Sequence, residues 1–250
     1  MHPALLFAAA AVAAGAIAPA RFSVSTQRYP FTEDAFLRMV QQTCDEDTFR
    51  FSIKEAGMDM VIQDVYEHQV DLGVIFLTDL TEKIIRRMLD AHEVEFHQLA
   101  SVPPCLYVRK GHPLTSLETV TVADLAGFPY LSFEHDQGAA VDFSEEYQLW
   151  SFKKPARCIS VNNRTTAMNL LAATDAFTTG SGLLVRGLAD PRVVTVPLAG
   201  QGAIRLGWIQ ARDTRLTPQA EYFVALLEQS VEDSIAYTRE LHRSLQVDPA

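Results

Sequence analysis

The chain has 250 residues, with 21 Lys+Arg against 31 Asp+Glu for a formal charge of −10, and 48% of its residues are apolar while 21% are charged. That is a soluble, globular composition, long enough for one large domain or two lobes whose core needs neither disulfides nor metal. The excess of acids argues against nucleic-acid binding by this chain alone, because that affinity comes from Lys and Arg displacing the counterions of phosphates; Lys83, Arg86 and Arg87 read as a solvated helix face instead.

Residues 1–20, MHPALLFAAAAVAAGAIAPA, carry no Lys, Arg, Asp or Glu and end in the A-x-A-like string Ala18-Pro19-Ala20. The run lacks the basic start of an export signal, and Gly15 and Pro19 interrupt it short of the roughly 20 apolar residues that a membrane span requires. An Ala-rich helical stub or the product of a misplaced start codon is the expectation, with export as the alternative.

From Arg21 the pattern alternates. The run FSVS (22–25) precedes helical spacing over 32–42, FRFSI (49–53) precedes 57–68, and DLGVIFL (71–77) precedes 79–90. This is the rhythm of βαβ units and a parallel sheet. Residues 94–109 are two extended runs broken by Pro103-Pro104, after which the pattern restarts as a second lobe. There we expect a helical turn at 121–125, strands at 129–133 and 157–161, a helix at 138–149, and a helix at 164–173 led by the capping-type Asn163. Strands at 175–179, 192–197 and 203–210 follow. Thr217-Pro218 opens the last helix, expected to run to about Arg243. Two α/β lobes joined by two extended crossings imply a ligand-binding cleft between them. The expected division is 1–20, then 21–102 plus 207–250, then 103–206.

Chemistry of the catalytic kind is not legible. Cys44, Cys105 and Cys158 are far apart and outside any C-x-x-C pair, and His92 and His97 are five apart, so no metal centre or disulfide framework is expected. Thr179-Gly180-Ser181-Gly182 lacks the nucleophile elbow, and Val185 stands where a dinucleotide fingerprint needs its third glycine. Glu145-Glu146 and Asp45-Glu46 are adjacent acids, which do not flank a substrate.

A recognition surface remains. Ser25, Thr26, Gln27 and Arg28 lie between the first strand and first helix, where side-chain donors and free backbone N–H groups can converge on an anionic or polar ligand; strand-to-helix turns are also polar for no functional reason. Opposite them, Ser132, Phe133, Glu134, His135 and Gln137 end one strand, Asn162, Asn163, Arg164 and Thr165 end another, and Phe177, Thr178 and Thr179 form a third approach. Arg28 with Glu134 would suit a zwitterion, or the two would pair with each other.

The strings VDLGVIF (70–76), RKGHPLTSLETVTVADLAGFPYLSFE (109–134) and LGWIQARDTRLTPQAEYFVALLE (206–228) resemble the effector-binding domain of LysR-type transcriptional regulators. His112-Pro113-Leu114, followed about ten residues on by Asp124-Leu125 and an aromatic-Pro strand start, carries the resemblance. FSVSTQRYPFTEDAF (22–36), FSEEY (143–147), VNNRTTAMNLLAATDAFTTGSGLL (161–184) and VPL (196–198) extend it over roughly residues 20–243. It implies an α/β fold of two Rossmann-like subdomains of the type II periplasmic-binding-protein kind, a small polar or anionic metabolite in the cleft, and a homodimer or tetramer. By position it also implies ligand contacts from Ser25 to Arg28, Phe76 to Thr78, Phe133 and Glu134, Asn162 to Arg164, and Phe177 to Thr179. The family's N-terminal helix-turn-helix has no counterpart in this sequence, so DNA contact is expected only through a domain outside it. The expectation is a cytoplasmic sensor without cofactor, metal, membrane contact or catalysis; the alternative is an exported solute-binding protein using the same cleft.

Overall fold

The computed structural model describes residues 20–44, 48–134 and 156–247. The helix expected at 138–149, the residues His135 and Gln137, the FSEEY string and both pairs of adjacent acids lie outside them.

The first lobe is built on a five-stranded sheet in the order β2-β1-β3-β10-β4. Strands β1 (Ala20–Thr26), β2 (Phe49–Glu55) and β3 (Leu72–Thr78) run parallel, as the alternation of strands and helices predicts. Every residue of β3 is buried, in keeping with an apolar run covered on both faces. Strand β10 (Ile204–Ala211) is antiparallel to both β3 and β4 (Val94–Val102), so the sheet is mixed rather than parallel. The reason is topological: the chain leaves through β4, builds the second lobe and re-enters between β3 and β4 from the far end.

Three helices cover this sheet early in the chain: α1 (Pro30–Thr43), α2 (Met58–Tyr66) and α3 (Glu82–Ala91). A Cβ at Gly73 would sit 2.7 Å from Ile209 and 2.8 Å from Val61, so only glycine lets α2 approach the sheet there. The last helix of the chain, Pro218–Val247, starts with Thr217 Oγ1 accepting from the Ala220 N–H at 3.2 Å. Its buried Ala220, Phe223, Leu227 and Val231 follow helical spacing, and Phe223 packs on Phe22 at 4.6 Å between ring centroids. Farther along, the buried face changes to hydroxyls at Ser230, Ser234 and Thr238.

In the second lobe β5 (Cys105–Arg109) lies between β8 (Thr178–Gly180) and β9 (Val193–Pro197), antiparallel to each. Strands β6 (Tyr130–Phe133) and β7 (Cys158–Val161) pair in parallel, and bridges at Tyr130/Phe177 and Val120/Leu198 join these pieces. Helix α4 (Arg164–Ala173) covers one face. The other face meets two 3-10 turns, Pro113–Ser116 and Val122–Gly127. His112 accepts from the Leu114 N–H at 3.1 Å and aims its other ring nitrogen at the Asp175 carbonyl, while Leu114 is buried. The His112-Pro113-Leu114 triplet is therefore a capping and packing device. Asp124 closes a capping box with Thr121, and Leu125 packs beneath it.

The last helix, Pro218–Val247, is α5. It reaches across to the second lobe: Thr238 Oγ1 accepts from the Leu184 N–H at 3.0 Å, and His242 Nε2 lies 2.9 Å from Thr195 Oγ1. Leu183 and Val185 join the first lobe's core, although the chain around them belongs to the second lobe's strands. Gly182, at φ +71°, makes that excursion possible, since a Cβ there would come within 2.5 Å of the Cys105 side chain.

Candidate functional site

A cavity of about 920 Å³ lies between the lobes. The first lobe contributes the end of β1, the start of α1 and the end of β2; the second contributes β5, β6, β8, the first turns of α4 and residues 189–193. Both α1 and α4 present their N-termini to it, the positive ends of their dipoles. At α1 the N-cap Tyr29 makes no side-chain capping bond. At α4 the Asn163 carbonyl oxygen accepts from the Thr166 N–H at 2.8 Å.

Among the described residues, two contacts cross the cavity. Arg164 Nη1 donates to Glu33 Oε2 at 3.1 Å, joining α4 to the first turn of α1. The Arg28 guanidinium lies 4.2 Å from the centre of the Phe133 ring, a cation–π contact. The second lobe also carries a fork: Arg192 donates to both oxygens of Asp190 at 3.0 and 2.6 Å and to Asn169 Oδ1 at 3.3 Å. The hydrogen-bonded Arg192 side chain holds the Asp190 carboxyl below the usual carboxylate range, and Asp190 raises Arg192 in return.

Of the residues marked out by the sequence, Thr26, Arg28, Phe133, Asn163, Arg164, Thr165, Thr178 and Thr179 line the cavity. Thr178 is the most telling. It is 4% exposed, and its hydroxyl has no hydrogen-bond partner among the described residues, so a residue of the cavity wall carries an unsatisfied buried polar group. Thr26 is also buried and belongs to β1 rather than to a surface turn, its hydroxyl donating to the Gln27 carbonyl at 2.9 Å.

The others face elsewhere. Ser25 is wholly buried and donates to Asp64 Oδ2 at 2.7 Å, an acid that Lys54 also engages. Gln27 Oε1 accepts from the Tyr29 hydroxyl. Phe76 is in the first lobe's core, and the Thr78 hydroxyl lies 3.0 Å from that of Thr81 beside the start of α3. Phe177 packs on Tyr130 in the second lobe's core, 5.5 Å between centroids. Glu134 and Asn162 are exposed and do not line the cavity; Glu134 donates its N–H to the Val161 carbonyl, and Asn162 accepts from the Asn163 amide. Arg28 meets the face of Phe133, not Glu134. Strand ends alternate their side chains, and a stretch read whole sends half its residues away from the cleft.

The sequence reading missed Glu55, Tyr107, Met168, Leu184, Leu188 and the Asp190-Pro191-Arg192 turn, all on the cavity wall. Gly182 and Pro191 announce turns there, but no local signal tells which lobe the intervening chain joins. Among the described residues no group of three His, Cys, Asp or Glu could hold a metal ion, and no helix is long and apolar enough to cross a membrane.

The family model for the LysR substrate binding domain matches residues 47–232. No match was found among curated protein sequences. Among solved structures, the effector-binding domain of QuiR in complex with shikimate is 15% identical at a TM-score of 0.58, over 86% of this chain and 98% of that one. HinK, a LysR family transcriptional regulator from Pseudomonas aeruginosa, is 15% identical at 0.58, over 86% and 72%. Oxidized Corynebacterium glutamicum OxyR is 14% identical at 0.59, over 89% and 67%. At these identities the structures speak for the fold of two α/β subdomains. The family model, matching well over half of the sequence, goes further: the chain belongs to the LysR substrate-binding family and is an effector-binding domain of the LysR type.

Proposed function

We propose that this domain senses a small polar or anionic metabolite held between its lobes, and that the effector acts by favouring one lobe arrangement over others. The observation that carries the reading is the unsatisfied, buried Thr178 hydroxyl on the wall of a cavity bounded by two helix N-termini. The lobes divide at about residues 21–102 plus 207–250 and 103–206. The domain works in the cytoplasm without catalysing a reaction, in a homodimer or tetramer whose DNA contact is made by a helix-turn-helix domain. The family match favours this over the solute-binding alternative, which would share the fold.

Thr178→Val tests it. Removing a buried hydroxyl that bonds nothing leaves the ligand-free melting temperature unchanged or raises it, while loss of a ligand hydrogen bond weakens effector binding about tenfold, the equivalent of roughly 1.5 kcal/mol. A melting-shift screen of small carboxylates and amino acids supplies the effector, and titration calorimetry the affinity. Unchanged affinity in the variant would refute the site assignment.

A further inference from the structure

Among the described residues the cavity carries six charged side chains. Four of them are already neutralised as pairs: Glu33 with Arg164, and Asp190 with Arg192. Arg28 and Glu55 are the remaining two, and neither has an ion-pair partner among the described residues. Glu55 ends β2 as the register partner of Thr26, the last residue of β1, and Arg28 lies in the bend two residues beyond it. The first lobe thus offers the cavity one cation and one anion that are not paired off among the described residues, with the Arg28 guanidinium over the Phe133 ring.

Away from this pair the wall changes character. Arg164, Thr165, Met168 and Asn169 share one face of α4, so the cavity follows that helix for about 7.5 Å at ~1.5 Å per residue, from the Glu33 bridge to the Arg192 fork. Along it lie Tyr107, Met168, Leu184, Leu188 and Val193, which cannot hydrogen-bond a polar ligand body except through the Tyr107 hydroxyl. The volume is at the upper end of the roughly 300–1,000 Å³ of small-molecule sites. We infer that the effector is a zwitterion with a large apolar body, in chemical terms an apolar α-amino acid: its carboxylate meets Arg28, its ammonium meets Glu55, and its side chain runs along Met168 and Leu188. Thr178 is within the same wall and supplies a hydrogen bond to the head group. This rests on the effector reading of the cleft and adds the ligand class to it.

The test is titration calorimetry of the whole 250-residue chain with alanine, valine, leucine, methionine and phenylalanine, alongside N-acetyl-leucine and leucinamide, which lack one head-group charge each. Affinity should rise about fourfold per methylene buried from alanine to leucine. Leucine should exceed both blocked forms by about tenfold or more, as loss of a charged hydrogen bond demands. In Glu55→Gln the preference over N-acetyl-leucine should collapse while that over leucinamide persists, and in Arg28→Gln the reverse. Equal binding of alanine and leucine, or of leucine and N-acetyl-leucine, overturns the inference. Tight binding of simple carboxylates instead would overturn it while leaving the effector reading intact. If no amino acid or carboxylate binds, the effector reading falls as well.

Discussion

The two lobes build their walls of the cleft from different material. In the first, the buried apolar residues form one continuous cluster around β1, β3 and β10, joined by α1, α2 and α5, and the cleft receives mainly groups at its margin: Arg28, Pro30, Glu33 and Glu55. In the second, β5 and β9 divide the core between two faces. Leu106, Val108, Val194 and Val196 pack toward the 3-10 turns, while Val193 packs with Leu131, Phe133 and Leu171 beneath α4. Phe133 and Val193 belong to this cluster and to the cleft wall at once, and Met168 and Tyr107 lean on it. Tyr29 and Val185 hold the same double position in the first lobe, so what separates the lobes is one continuous core against a divided one.

That contrast breaks most visibly under truncation. Phe76→Ala, at a wholly buried position of the continuous core, should cost about 3–5 kcal/mol and lower the stability of every element of the first lobe together. Leu171, on the inner face of α4, is buried as deeply, and Leu171→Ala should cost about 2–5 kcal/mol. Its distinguishing effect is local: hydrogen exchange should accelerate in α4, β6 and β7 with β1 and β3 still protected. Urea titration with site-resolved exchange checks both, and uniform acceleration in Leu171→Ala would remove the distinction between the lobes.

A smaller effect is expected where α5 ties the lobes together. Burial lowers the pKa of His242, partly offset by its bond to Thr195, and burial likewise lowers His112, partly offset by Asp175. Unfolded histidine titrates near 6.5. A group with a depressed folded pKa leaves the unfolded state holding more protons, so stability is full above about pH 6.5 and falls as the solution is acidified below it. The melting temperature should drop between pH 7.5 and 5.5, and His242→Gln should flatten that slope. Because His242 meets β9, exchange at acid pH should rise first in the second lobe.

Much of this architecture was legible in the sequence because local chemistry and tertiary role agree. Helix α4 spans Arg164–Ala173 as its spacing predicts, with Asn163 capping it. β3 is the apolar strand its composition requires. The mixed sheet was not legible, because nothing inside IRLGWIQ tells which direction the strand will run between two partners distant in the chain. The cleft was half legible. Strand ends point to it correctly, yet Ser25 turns under the sheet to Asp64 and Phe76 into the core, since a one-residue step reverses a strand side chain. Leu184, Leu188 and Arg192 were missed because their place depends on Gly182 turning the chain back toward the first lobe, a long-range consequence of the Cys105 contact.

The smallest effect sharpens the comparison most, because it acts on the gap between lobes and on neither core. Arg164 and Glu33 remain partly exposed, at 23% and 49% of their side-chain surface, so Arg164→Gln should change folding stability by no more than about 1 kcal/mol. The pair nevertheless spans the cleft, and breaking it removes one of the two contacts seen across it among the described residues. Ligand association should then become faster, with dissociation accelerated at least as much because the closed state has lost a bond. Glu33→Gln should reproduce both changes, and the double variant should add little to either, the mark of two residues acting through one interaction. Stopped-flow rates for the four proteins decide it: additive changes would mean that Arg164 and Glu33 touch the ligand separately instead of latching the lobes.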